Sequence, residues 1–287
     1  MYKLFATLFY CSLFSVIFGQ ENPVEIYGYY QKGDTIYLAN GGHMRESASR
    51  NSKSMAEIPA GTRLIVTGEQ SANSEVIYNL KAPFYPVKWE SASGVKYGYV
   101  WQGLLAKAYA YDKDRNMLLF GWKSYSVNDN IITYSLAHVD PTGKIQEFAI
   151  KDTFTFYTSY EAKVLGGMGL TNVKSILRVG MLGEACGIPT IYKYFAWDGK
   201  QYHVLPEKMS VGDAGIYYYS EELQFPSEHK MAADVIIIKS EEMEYVMLEV
   251  EGFNGNYFSE GTKVQKYRFY KWTGKSVYEL EKKYDRE

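Results

Sequence analysis

Three passages of this chain repeat one local pattern, and that pattern leaves little room for anything but β structure. Residues 134–148, 192–202 and 267–278 each place a tyrosine five positions before a Val or Trp. Each then turns on a Gly-Lys pair, at Gly143-Lys144, Gly199-Lys200 and Gly274-Lys275, and enters another strand-forming run. The Asp198-Gly199 pair is a strong hairpin signal, because glycine accepts the positive φ that tight hairpin turns require. A short apolar strand precedes each hairpin: Met117-Leu118-Leu119-Phe120, Ile176-Leu177-Arg178-Val179 and Val235-Ile236-Ile237-Ile238. The unit is strand, variable loop and aromatic hairpin, spaced unevenly as in degenerate repeats with loop insertions. The 28 tyrosines point the same way, since tyrosine favours strands and half-buried faces. No long helix is expected; residues 159–164 and 281–286 have room for a turn or two.

The hairpins weakly resemble the blades of secreted β-propellers, but three units are fewer than a closed ring normally needs. A partial propeller or an irregular β-sandwich is therefore expected for residues 107–287. At 287 residues the chain is long enough for two domains, and 46% hydrophobic content supports a full core. A formal charge of −2 gives no electrostatic reason to expect nucleic acid.

The first nineteen residues read as a signal peptide. Lys3 supplies a positive start, residues 4–18 are almost wholly apolar, and Gly19-Gln20 offers a small residue at the cut. The run is too short and too weakly flanked for a permanent membrane span, so none is expected once it is removed. Lipidation at Cys11 is the rival, disfavoured by the bulky Phe9 and Tyr10 before it. The protein is thus expected to be exported, to the periplasm or beyond. Cys186 is then the only cysteine left, and no disulfide can hold the fold.

Residues 20–34 read as a lead-in that packs against a neighbour, and 35–106 as a separate unit. Thr35-Ile36-Tyr37-Leu38-Ala39 is a strand by its β-branched and aromatic content. Asn40-Gly41-Gly42-His43, then Met44-Arg45-Glu46-Ser47-Ala48-Ser49, then Pro59-Ala60-Gly61-Thr62-Arg63-Leu64-Ile65-Val66 follow it. Pro86-Val87-Lys88-Trp89, Tyr97-Gly98-Tyr99-Val100 and Leu104-Leu105 close the series. In order and spacing this resembles the bacterial Src-homology-3-like domain. The resemblance implies a small β-barrel and a binding or scaffolding role at the envelope, with cell-wall glycan or peptide as ligand. Two departures are the Gly41-Gly42-His43 approach and a lengthened loop at 71–83. Independently, Pro59 and Gly61 suit a type I turn, Leu64 and Val66 share an inward face, and Arg45 suits tying strand ends through carbonyls.

In the closing strand Val100 and Gly98 share one face, and Tyr97, Tyr99 and Trp101 share the other. That stripe, with Tyr85 and Trp89 nearby, is the candidate ligand surface; the alternative is that the hairpin repeats cover it. No catalytic set is expected. Cys186 and His203 are the only candidates for a cysteine-peptidase pair, and the context Glu184-Ala185-Cys186-Gly187-Ile188 does not favour one. Four scattered histidines at 43, 138, 203 and 229 make no zinc motif. Asp112-x-Asp114-x-Asn116 begins like a calcium loop, but Met117 stands where the glycine belongs and no acid stands twelfth. The expectation is an all-β, non-enzymatic binding protein without cofactor or metal, partnered by peptidoglycan or an envelope peptide or protein. The competing readings are a wall hydrolase with an unrecognised site in the C-terminal region, and a structural component of an envelope assembly.

Overall fold

The computed structural model of the protein describes residues 22–26, 28–213, 217–248 and 257–281. The expected signal peptide, 1–19, lies outside them. The described chain is almost wholly β. Nine strands come first: β1 (Val24–Glu25), β2 (Thr35–Tyr37), β3 (Gly42–Arg45), β4 (Ser54–Ile58), β5 (Arg63–Val66), β6 (Glu75–Ile77), β7 (Leu80–Ala82), β8 (Phe84–Ser91) and β9 (Gly94–Trp101). A turn of 3-10 helix, Gln102–Leu104, ends the series.

Six of these strands form an antiparallel sheet in the order β2-β5-β8-β9-β3-β4. Both edges feed one buried cluster, Ile36 from β2 and Ile58 from β4, with Leu64, Val66, Tyr85, Val87 and Val100 between them. The sheet is therefore curled about a core, yet its edges do not pair. The small β-barrel implied by the resemblance takes the form of a curled sheet that does not close. β2 is continued instead by the chain leaving the 3-10 turn, through the Leu38–Leu105 bridge and the Ala39 N–H to Leu104 carbonyl bond of 2.9 Å. β4 stops at Pro59, which has no N–H to extend a ladder. Arg45 ties strand ends as its chemistry suggests, donating to the Ser52 carbonyl at 2.7 Å.

The lengthened loop at 71–83 holds a hairpin of its own. β6 and β7 turn on Tyr78 and Asn79, both at positive φ, and β1 of the lead-in adds parallel to β7. Val24, Ile26, Leu80 and Ala82 of this small sheet are buried.

Each sequence repeat becomes a four-stranded antiparallel meander, one strand longer than the hairpin and its preceding strand. The first is β10 (Ala106–Tyr111), β11 (Met117–Ser126), β12 (Ile131–Val139) and β13 (Ile145–Thr153). The second is β14 (Ser159–Gly166), β15 (Ser175–Leu182), β16 (Thr190–Trp197) and β17 (Tyr202–Asp213). The third is β18 (Tyr217–Gln224), β19 (Val235–Leu248), β20 (Tyr257–Trp272) and β21 (Val277–Glu279), with a short helix α1 (Pro226–His229) after β18. The three Gly-Lys glycines all hold positive φ, between 85° and 100°. Residues 159–164 are strand rather than helical turn, because every residue of β14 pairs with β15. Among the described residues no helix is long and apolar enough to cross a membrane.

The layers stack face to face. One face of the first meander, with Leu119 and Ala137, packs on Ala39 and Ala60 of the curled sheet's loops. Its other face, with Leu118, Phe120, Trp122 and Leu136, meets Leu177, Val179 and Phe195 of the second. The second meander's far face, with Ile176 and Tyr194, meets Ile236, Ile238 and Trp272 of the third. Alternation of side chains along each strand is what lets one meander bury two faces at once. The second and third meanders are continuous, since Ser210–Asp213 at the end of β17 pairs with β18. A carboxylate knot pins that junction: Glu221 accepts from the Met209 N–H, the Tyr219 hydroxyl and the Arg268 guanidinium.

Candidate functional site

The five aromatic residues singled out in the sequence do not form one surface. Trp101 is 4% exposed and lies in the cluster between the first two meanders, its Nε1 donating to the Ala82 carbonyl at 3.1 Å. Tyr99 is half-buried against the same cluster. Tyr97, two residues further out, is 61% exposed. Tyr85 points the other way, into the curled sheet's core, edge-on to Tyr30 at 5.3 Å. Its hydroxyl sits 2.7 Å from Gln70 Oε1 and 3.2 Å from the Gly28 carbonyl. Trp89 flanks that same core with the Lys96 ammonium 5.4 Å above its ring. Tyr85 and Trp101 are therefore buried in different clusters, Trp101 keeping only a lining position in the cavity beside Asn40, and Tyr97 is the exposed ring of the stripe.

The pairs that might carry chemistry are also kept apart. Cys186 is exposed in the loop before β16, whereas His203 pairs opposite Ala196 near that strand's other end. Six residues of extended chain separate the two levels by roughly 20 Å. His203 Nε2 is bonded instead to Asp198 Oδ2 at 2.9 Å. Burial alone raises the Asp198 carboxyl, but the bonds from His203 and the Gln201 and Lys200 N–H groups outweigh it and hold it at about 2. The calcium-like loop is closed on itself: Asp112 Oδ1 accepts the Asp114 and Asn116 N–H groups at 2.9 Å, and Oδ2 accepts the Asn116 amide at 2.7 Å. Among the described residues no three His, Cys, Asp or Glu side chains are grouped to hold a metal.

The Asn40-Gly41 stretch, outside the five candidate residues, has a role that becomes visible only in three dimensions. It stitches the curled sheet to the first meander. Asn40 Nδ2 donates to the Trp122 carbonyl at 2.8 Å, and Ser135 Oγ donates to the Ala39 carbonyl at 3.2 Å. Along this seam runs a cavity of about 380 Å³, walled by Trp101 and Leu104 and bordered by Tyr78, Lys123 and Glu147. Asn40 also lines the cavity; it is 8% exposed, and its buried Oδ1 has no hydrogen-bond partner. A buried acceptor left unpaired costs about 1–3 kcal/mol, so a donor arriving there is favoured.

Lys123 and Glu147 are both exposed, and among the described residues neither forms an ion pair. They stand on β11 and β13 of the first meander, Lys123 at the bulge between Trp122 and Ser124. A bulge redirects a side chain out of the strand's alternation. No motif marks them, and isolated charges on amphipathic strands carry no sequence signal. The seam thus offers an apolar wall, one free cation, one free anion and a buried acceptor. A larger depression of about 750 Å³ on the third meander is lined by Ser240, Lys266 and Arg268, and the last of these is taken up by the Glu221 knot. Comparison with protein-family models, with curated proteins and with solved structures finds no match to this chain.

Proposed function

We propose that this chain is an exported, non-catalytic binding protein of the bacterial envelope, and that it takes a short cell-wall peptide in the seam beside Asn40. The observation that carries the reading is the combination of an unpartnered Asn40 Oδ1 with an unpaired Lys123 and Glu147 around one cavity. A peptide fragment brings an amide N–H for a carbonyl acceptor, an amine for Glu147 and a carboxylate for Lys123. Its apolar parts suit the Trp101–Leu104 wall. The volume lies within the usual range for small-ligand sites, about 300–1,000 Å³. The resemblance of residues 35–106 to the bacterial Src-homology-3-like domain supports the same class of role.

The test is calorimetric titration of the mature protein with stem peptides cleaved from purified sacculi. Binding that weakens at least tenfold in Lys123→Ala with Glu147→Ala, with the melting temperature unchanged, is expected. Wall fragments released by the protein itself would place it among hydrolases instead.

A further inference from the structure

A second cavity, at the other seam, has a different chemistry. It holds about 190 Å³ between the loop leaving β10 and the first two strands of the second meander. Trp197 and Ser175 are its buried residues, at 5% and 6% exposure, and Tyr111, Asp114, Asn116 and Lys174 stand exposed or half-exposed around it. The Ser175 hydroxyl has no hydrogen-bond partner. Neither do the Asp114 carboxylate and the Lys174 ammonium among the described residues, although Asp112 beside them is fully used by its own turn.

The site is built rather than incidental. Trp197 is held from three sides, stacked on His138 at 4.5 Å and 22° and flanked by Tyr202 at 5.0 Å and Phe148 at 5.6 Å. The Lys174 chain lies across Gly199 of the hairpin turn, where any Cβ would collide with it. Tyr111, Tyr109 and Tyr37 form a cluster of rings: the Tyr111 centroid is 6.2 Å from that of Tyr109, which is 4.6 Å from Tyr37. Tyr109 and Tyr111 are 43% and 51% exposed.

Charge selects the ligand. Two carboxylates, Asp112 and Asp114, and two ammonium groups, Lys113 and Lys174, line the cavity, so a simple ion of either sign meets as much repulsion as attraction. A hydroxyl both donates and accepts, and neighbouring hydroxyls can therefore satisfy Asp114, Lys174 and Ser175 together. The space equals about six waters at about 30 Å³ each, enough for one sugar ring. The exposed ring of Tyr111 completes such a site by covering the apolar C–H face, while Trp197, stacked on His138, forms a packed wall. We propose that this cavity binds the terminal ring of a neutral saccharide, and that the exposed Tyr111 and Tyr109 rings contact the ring that follows.

The experiment titrates the mature protein with chitotetraose, cellotetraose, maltotetraose and their monosaccharides, reading heat and tryptophan fluorescence. Calcium chloride and inorganic phosphate serve as ionic controls. At least one tetrasaccharide should bind, and Asp114→Ala and Lys174→Ala, both surface changes, should each weaken it at least tenfold with the melting temperature unchanged. Tyr111→Ala should weaken the tetrasaccharide more than its monosaccharide. The Lys123→Ala, Glu147→Ala protein should bind saccharide normally, which separates this site from the peptide seam. Binding of none of the five sugars, binding of an ionic control alone, undiminished binding in Asp114→Ala and Lys174→Ala, or loss in the seam variant would each overturn the assignment.

Discussion

The two ends of strand β9 carry the same kind of side chain and meet opposite fates. Trp101 is locked between the curled sheet and the first two meanders, while Tyr97 stands 61% exposed on the same face of the same strand. Nothing in the strand's own alternation distinguishes them. The difference lies in what crosses over each: Leu80, Ala82 and Trp122 belong to Trp101's cluster, and none of that cluster reaches Tyr97. An aromatic stripe therefore reports that a face is apolar, and the next layer decides whether it is core or surface.

Substitution at the two ends should part them sharply. Trp101→Ala removes a buried indole and leaves the Ala82 carbonyl without its side-chain donor, and a loss of about 3–5 kcal/mol is expected in urea unfolding. A loss below about 1 kcal/mol would mean that the covered end is not covered in solution. The Glu221 knot is a second covered feature, where the carboxylate is 5% exposed and Arg268 is 40% exposed. Glu221→Gln should cost about 2 kcal/mol, less than a fully buried pair because solvent screens the arginine. An unchanged unfolding midpoint would show that the β17–β18 junction does not depend on it.

The Asp198–His203 pair extends the comparison to pH. The Asp198 carboxyl is held at about 2, below its ordinary value near 4, so its contribution to stability is complete above about pH 4. That contribution disappears as the pH falls through 2, and it is on the order of 2 kcal/mol. The stability curves of the wild type and Asp198→Asn should therefore diverge above pH 4 and converge towards pH 2. Parallel curves across that range would remove the pair from the account. At the uncovered end, Tyr97→Ala should shift stability by no more than about 0.5 kcal/mol, the smallest of these effects.

Much of the fold was legible because local and long-range preferences agree in it. The apolar runs at 117–120, 176–179 and 235–238 became second strands of their meanders, and the Gly-Lys turns join third strands to fourth. The first strands were harder to see. β10 alternates alanine with bulkier residues, and Glu161-Ala162-Lys163 within β14 are ordinary helix formers that pairing with β15 overrides. The open edge of the curled sheet was not legible either, since closure depends on where β4 and the 3-10 turn leave the chain. For the sites, Asn40 and Trp101 drew attention through motifs, but Lys123, Glu147, Lys174 and Ser175 are lone polar residues on strands or loops. Their partnership is created by stacking, which no window of sequence contains.

The two seams share a physical logic: where one layer meets the next, loops and strand ends leave polar atoms that neither layer satisfies. Asn40 marks the first seam and Ser175 the second. The most direct test is the affinity of the protein for sacculus-derived stem peptides, compared with that of the Lys123→Ala, Glu147→Ala protein at equal melting temperature. Measurable binding that falls at least tenfold in the double variant is expected. Equal affinity in both proteins, or no binding by either, would contradict it.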